Sequence, residues 1–98
     1  MAVENKLNFD WDEDKAAANF KKHKINFDEA KEVFGDPFAV TVNDPLHSVG
    51  EKRFIDIGRS LDGKTLVVSY THRGQKIRLI NCRKATKAER KIYEEKES

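Results

Sequence analysis

Six arginines between Lys52 and Lys91 are the side chains of this 98-residue sequence best suited to chemistry. They are Arg53, Arg59, Arg73, Arg78, Arg83 and Arg90, among twelve basic and three acidic residues in that stretch. A guanidinium offers a planar fork of donors that fits a phosphate in bidentate fashion, which an ammonium does not. The formal net charge of +2 conceals the asymmetry. Residues 1–36 hold six Lys/Arg against nine Asp/Glu, and residues 37–98 hold thirteen against eight. A folded surface of that sign attracts polyanions, of which a nucleic-acid backbone is the commonest. A merely solubilising surface is the competing reading, and the high share of Arg among the basic residues counts against it.

Groups able to move protons are fewer. His23 lies in "KKHK" at the end of an expected helix. There it serves either as a partner for the helix dipole or as an acid–base group beside lysines. Glu51 is either a base or an ion-pair partner of Arg53. His47 reads as a solvated loop residue and His72 as surface at a strand end. Arg78 stands mid-strand, with Asp56 as the obvious carboxylate to balance it, an anion site being the alternative. The HEXXH, GXSXG and GXXXXGK[ST] patterns are absent, and one cysteine, Cys82, excludes an internal disulfide and a cysteine-built zinc site. Cys82 itself reads as a small buried strand residue.

One reaction needs only such groups and no metal or cofactor: RNA cleavage by its own 2′-hydroxyl. A base takes the 2′-OH proton, and cations hold the charge that develops on phosphorus. Composition does not separate that enzyme from a nucleic-acid-binding module.

The elements that must position these residues follow from periodicity. "DWDEDKAAANFKKHK" reads as a helix capped by Asp10 or Asp12, with Trp11, Ala16, Phe20 and His23 on one face. "NFDEAKEVFGDP" reads as a second helix, with Asn26 and Glu29 as a capping box and a stop at Gly35 and Pro37. The period then becomes two: "FAVTV" (38–42), "EKRFIDIGRS" (51–60), "KTLVVSYTHR" (64–73) and "KIRLINCR" (76–83) are strands. Thr86 and Glu89 cap a final helix. The expectation is an α+β fold of two layers: two N-terminal helices, a four-stranded antiparallel meander sheet and a C-terminal helix. Residues 1–9 form a lead-in with a possible short edge strand near Leu7 and Phe9.

A two-residue turn at Asp62-Gly63 sets Leu61 opposite Lys64, and therefore Arg59 opposite Leu66, Ile57 opposite Val68 and Arg53 opposite His72. One face then carries Ile55, Ile57, Leu66, Val68, Tyr70, Ile77 and Leu79 beneath the helices. The other carries Phe54, Asp56, Val67, Ser69, Thr71, Arg78 and Ile80, partly covered by the last helix, whose Ala85, Ala88, Ile92 and Tyr93 suit burial. Lys87, Glu89, Arg90 and Glu94 of that helix suit solvent pairs.

The length suits one domain spanning 1–98. With no long apolar run and no apolar stretch behind Met1, the expected location is the cytoplasm, away from membranes.

The segments "WDEDKAAANFKKHKINFDEAKEVFGDP", "EKRFIDIGRS" and "LVVSYTHRGQKIRLINCRKATKAERKIYEE" resemble the BrnT toxin family over roughly Phe9 to Glu95. The resemblance implies a bacterial type II toxin, a ribonuclease with a RelE-like fold that inhibits translation. It implies a BrnA-type antitoxin with a ribbon-helix-helix DNA-binding region, a two-plus-two heterotetramer, and operator DNA bound through the antitoxin. Carried onto matching positions, it singles out Lys22 and His23 of the "KH" pair, Glu51 and Arg53, Arg59 in "IGRS", Arg78 in "IR" and Arg83 in "RKAT". Arg53, Arg59, Arg78 and Arg83 are then expected at phosphate, with His23 or Glu51 moving the proton and Lys22 contacting RNA. A non-catalytic nucleic-acid-binding or partner-binding module of the same fold is the alternative.

Overall fold

The computed structural model describes residues 7–97. Positions 1–6 of the expected lead-in lie outside the described residues. The chain forms β1 (Asn8–Asp10), α1 (Glu13–His23), α2 (Phe27–Lys31), β2 (Val40–Asn43), β3 (Arg53–Arg59), β4 (Thr65–Arg73), β5 (Lys76–Lys84) and α3 (Lys87–Glu97). The second expected helix keeps α geometry only to Lys31 and finishes as a 3-10 turn over Glu32–Gly35.

The sheet corrects the four-stranded antiparallel expectation. It is five-stranded and mixed, ordered β1-β5-β4-β3-β2, because β1 pairs parallel with the start of β5. Phe9 drives that pairing. It is directed into the core, edge-on to Phe34 with ring centroids 5.2 Å apart. The helices take the expected faces, which makes three layers rather than two. α1 and α2 cover one face, over Leu66, Val68, Tyr70, Ile77, Leu79 and Cys82. α3 crosses one end of the other face, where Ala85 and Tyr93 pack on Ile57 and Val67. Ala88 and Ile92 stay exposed, against expectation, because α3 covers so short a piece of sheet.

Asp12 caps α1 by accepting from the amides of Asp14 and Lys15, and Asn26 caps α2 by accepting from Glu29. On α1 the expected apolar face is only partly right. Phe20 is exposed, and the buried residue is Asn19. Its amide donates to the carbonyls of Ile25 and Cys82 and accepts from the Cys82 amide and the Asn81 side chain. β1 reaches only as far as Arg78 along β5, so beyond it Asn19 takes the place of a strand and satisfies the Cys82 backbone.

Register is where the sequence expectation fails most usefully. The β3–β4 loop is not a two-residue turn. Ser60 and Lys64 close it with a 2.9 Å hydrogen bond, leaving Leu61, Asp62 and Gly63 in the loop. Gly63 is at φ 87°, the left-handed residue that a three-residue hairpin loop requires. The pairing therefore moves by one: Arg59 faces Thr65, Ile57 faces Val67 and Arg53 faces Thr71. A one-residue slip turns every β3 side chain to the other face relative to β4. A bulge then places Ser69 opposite Asn81 and Tyr70 opposite Leu79, with Ile80 the extra residue.

Candidate nucleic-acid cleft

The slip and the bulge together move arginines onto the half-open face. Arg53 pairs with Thr71, Thr71 with Arg78, and Val67 with Arg83, so all three arginines face the side that α3 only partly covers. Arg53 lines a hollow with each of the other two. With Arg83, Ser69, Asn81 and His47 it lines a cleft of about 340 Å³. With Arg78, Arg73 and Glu51 it lines a smaller recess of about 60 Å³.

The arginines differ in how they are held. Among the described residues Arg53 has no carboxylate partner, and its buried Nε makes no hydrogen bond. Arg78 is balanced by Asp10 rather than by the expected Asp56, with Nη1 3.5 Å from Oδ1. That Asp10 oxygen is buried and accepts no hydrogen bond, so the contact is loose. Asp56 faces the other way and accepts from Thr41 and Tyr70. Arg83 makes a bidentate pair with Glu89 at 2.7 and 2.8 Å. Glu89 also closes the expected cap of α3 with Thr86, while its pairing with Arg83 of β5 replaces the solvent pair expected within the helix. The Arg83 hydrogen bonds pull the Glu89 carboxyl down to about 2, against the opposing effect of burial.

The loop after β2 is tied to the start of β3. The Asp44 amide donates to Arg53 O at 3.0 Å, and the Arg53 amide donates to Ser48 Oγ at 3.1 Å. Ser48 Oγ in turn donates to Asp44 O. This staple holds His47 at the cleft with its Nδ1 2.9 Å from Asp44 Oδ2. The plain solvated role expected of His47 is incomplete for that reason.

The remaining expected residues are distributed as follows. Glu51 borders the smaller recess but pairs with Arg73 at 3.5 Å, not with Arg53. Lys22 and His23 border a recess of about 230 Å³ beside Asn19, Ile80 and Asn81. All three recesses share Ile80, the bulged residue. Arg59 belongs elsewhere. Its guanidinium lies 5.2 Å from the Tyr93 ring centroid, and its amide donates to Asp36 Oδ2, which also accepts from the Tyr93 hydroxyl at 2.7 Å. Arg59 therefore helps fasten α3 and does not join the cluster. Two further hollows suit a polyanion poorly: one is walled by Asp28, Glu29, Glu32 and Asp62, and the other, which holds Arg59, includes Glu32, Asp36 and Phe38.

Among the described residues no group of three or more His, Cys, Asp or Glu side chains is placed to hold a metal ion. None of the described helices is long and apolar enough to cross a membrane. Cys82 is fully buried, and burial pushes its thiol up to about 12, so it is inert.

A sheet that gathers arginines on one open face fits the class of ribonuclease toxins, and residues 11–89 match a family model described as the ribonuclease toxin, BrnT, of type II toxin–antitoxin systems. The chain belongs to the BrnT family. The crystal structure of the Brucella abortus ribonuclease toxin, BrnT, is similar in fold: TM-score 0.62 at 20% identity, covering 84% of this chain and 100% of that one. No curated protein sequence matches the chain.

Proposed function

We propose that this BrnT-family chain is an endoribonuclease that breaks RNA through the RNA's own 2′-hydroxyl, without a metal ion, and so blocks translation in the bacterial cytoplasm. Arg53 carries the reading. A half-buried arginine with an unbonded, buried Nε and no carboxylate partner among the described residues, with two more arginines on the same face, suits an anion that arrives from outside. In this account Arg53, Arg78 and Arg83 hold the scissile phosphate and its neighbours, and Lys22 and His23 extend the track around Ile80. Cation stabilisation of charge developing on phosphorus is the largest contribution such a site makes.

The partner in this reading is a BrnA-type antitoxin with a ribbon-helix-helix region. It covers the toxin in a heterotetramer and carries the complex to operator DNA. The RelE-like description belongs to the same proposal. A non-catalytic RNA-binding or partner-binding module is favoured by one observation: Arg83 is already matched by Glu89.

Expression of the chain alone in bacteria separates the two. Growth arrest relieved by Arg53→Ala and by Arg83→Ala, with folded variants, supports the ribonuclease. Unimpaired growth with all three folded proteins supports the binding module. Cleavage in vitro that persists in EDTA tests metal independence.

A further inference from the structure

We propose that His47 is the general base of this ribonuclease and that Asp44 is its positioning residue; the inference rests on the RNA-cleavage reading above. His47 sits on a 3-10 turn, Pro45–His47, and borders the same cleft as Arg53 and Arg83. Its ring is not adrift. Nδ1 donates to Asp44, whose two carboxylate oxygens lie 2.9 and 3.1 Å away, and the Asp44 backbone is fixed, its carbonyl accepting from the Ser48 hydroxyl and its amide donating to Arg53 O. A carboxylate on Nδ1 selects the neutral tautomer whose Nε2 carries the lone pair, and it stabilises the imidazolium once a proton arrives. The charged groups facing His47 are Asp44 on its own loop, Arg53 on β3 and Arg83 on β5, the last matched by Glu89 of α3. The other candidates are placed less well: Glu51 is engaged by Arg73, and His23 borders a different recess.

The step balances without any co-reactant but water. Nε2 takes the 2′-OH proton as the 2′-oxygen bonds to the adjacent phosphorus. The P–O5′ bond breaks, and the 5′-oxygen takes a proton from water. The imidazolium returns its proton to the resulting hydroxide. The products are a 2′,3′-cyclic phosphate and a 5′-hydroxyl.

The test uses the whole chain, a single-stranded RNA oligonucleotide, and the same oligonucleotide with 2′-deoxyribose as an uncleavable probe. His47→Gln is expected to slow cleavage by about 100-fold or more while binding the deoxy probe as the wild type does. The wild-type kcat/KM is expected to rise with pH and then level off. Asp44→Asn is expected to lower kcat with KM little changed, and His47→Gln to abolish the rise with pH. Added imidazole is expected to restore part of the rate of His47→Ala. Wild-type cleavage with an unchanged rate or pH profile in His47→Gln overturns this inference alone. Loss of probe binding together with cleavage reassigns His47 to holding RNA and also overturns it. A wild type that binds but never cleaves overturns the ribonuclease reading, and this inference with it.

Discussion

Arg78 and Arg83 are five positions apart on one strand, an odd spacing that should send them to opposite faces, yet both face the cleft. The extra residue at Ile80 resets the alternation between them. The bulge is therefore the device that assembles the guanidinium cluster, and Asn19 is what anchors it. The Asn19 amide oxygen accepts from both the Asn81 side chain and the Cys82 backbone, immediately after the bulge.

Asn19→Ala follows from that arrangement. It leaves the Cys82 amide and the Cys82 and Ile25 carbonyls without their partner inside the protein. The expected loss is about 2–4 kcal/mol of folding stability by urea denaturation. Asn19→Asp should be comparably harmful, because the two donated hydrogen bonds become contacts between oxygens. A variant as stable as the wild type would show that the strand edge finds other partners.

Gly58 is where the 3-10 segment after α2 presses on β3. An added Cβ would stand 2.8 Å from Val33 Cγ1 and 3.1 Å from Ala39 Cβ. Gly58→Ala is expected to cost about 1–3 kcal/mol through overpacking, read as a lowered thermal midpoint. No change in midpoint would mean that Val33 and Ala39 yield freely.

Tyr93→Phe tests how α3 is fastened. The Tyr93 hydroxyl donates to Asp36, which also accepts from the amides of Arg59 and Phe38. Burial raises the Asp36 pKa, but these hydrogen bonds outweigh it and the net shift is downward. Loss of the hydroxyl should cost about 1–2 kcal/mol. Proteolysis should then open the chain near residues 85–97 more readily, and equal resistance would argue against this fastening.

Acid stability has a defined sign. The Glu89 carboxyl is held at about 2 by Arg83, well below its ordinary 4.5. A depressed folded-state value contributes stability that is complete above the unfolded value and is lost as pH falls toward the folded one. That contribution should fade between about pH 4.5 and 2. Asp56, raised by burial, works in the opposite sense as pH falls through the carboxylate range. Glu89→Gln keeps a capping side chain yet removes the ionic part, so its urea midpoint should depend less on pH over that window. It also strips the matching charge from Arg83, so RNA should bind severalfold more tightly at low salt, an advantage that high salt erases. Weaker binding would mean that Glu89 positions Arg83 rather than competing for it.

Much of the fold was legible, for reasons that can be named. Caps at Asp12, Asn26 and Thr86 and the alternation along β3 to β5 are local signals, and local chemistry decides them. The parallel pairing of β1 with β5 depends on residues far apart in the chain, so no local pattern reports it. Asp62-Gly63 signalled a turn correctly but not its length, and one residue of loop decided which face received Arg53. That error separated Arg53 from Arg78. Without the Ile80 bulge, plain alternation sends Arg83 and Arg78 to opposite faces, and nothing in "KIRLINCR" announces that bulge. Asn19 reads as solvent-facing because a polar residue on a helix usually is, and its role emerges only once β5 has an unpaired edge. His47 became a candidate only when Asp44 and the cleft were placed around it.

The most direct test of the central claim is single-turnover cleavage of single-stranded RNA by wild type, Arg53→Ala and Arg59→Ala, each checked for folding. The cluster account expects Arg53→Ala to lose about 100-fold or more in rate. Arg59→Ala, which removes a fastening of α3 outside the cleft, should keep its rate while melting at a lower temperature. Undiminished cleavage by Arg53→Ala, or a loss confined to Arg59→Ala, would place the chemistry on another surface of the protein.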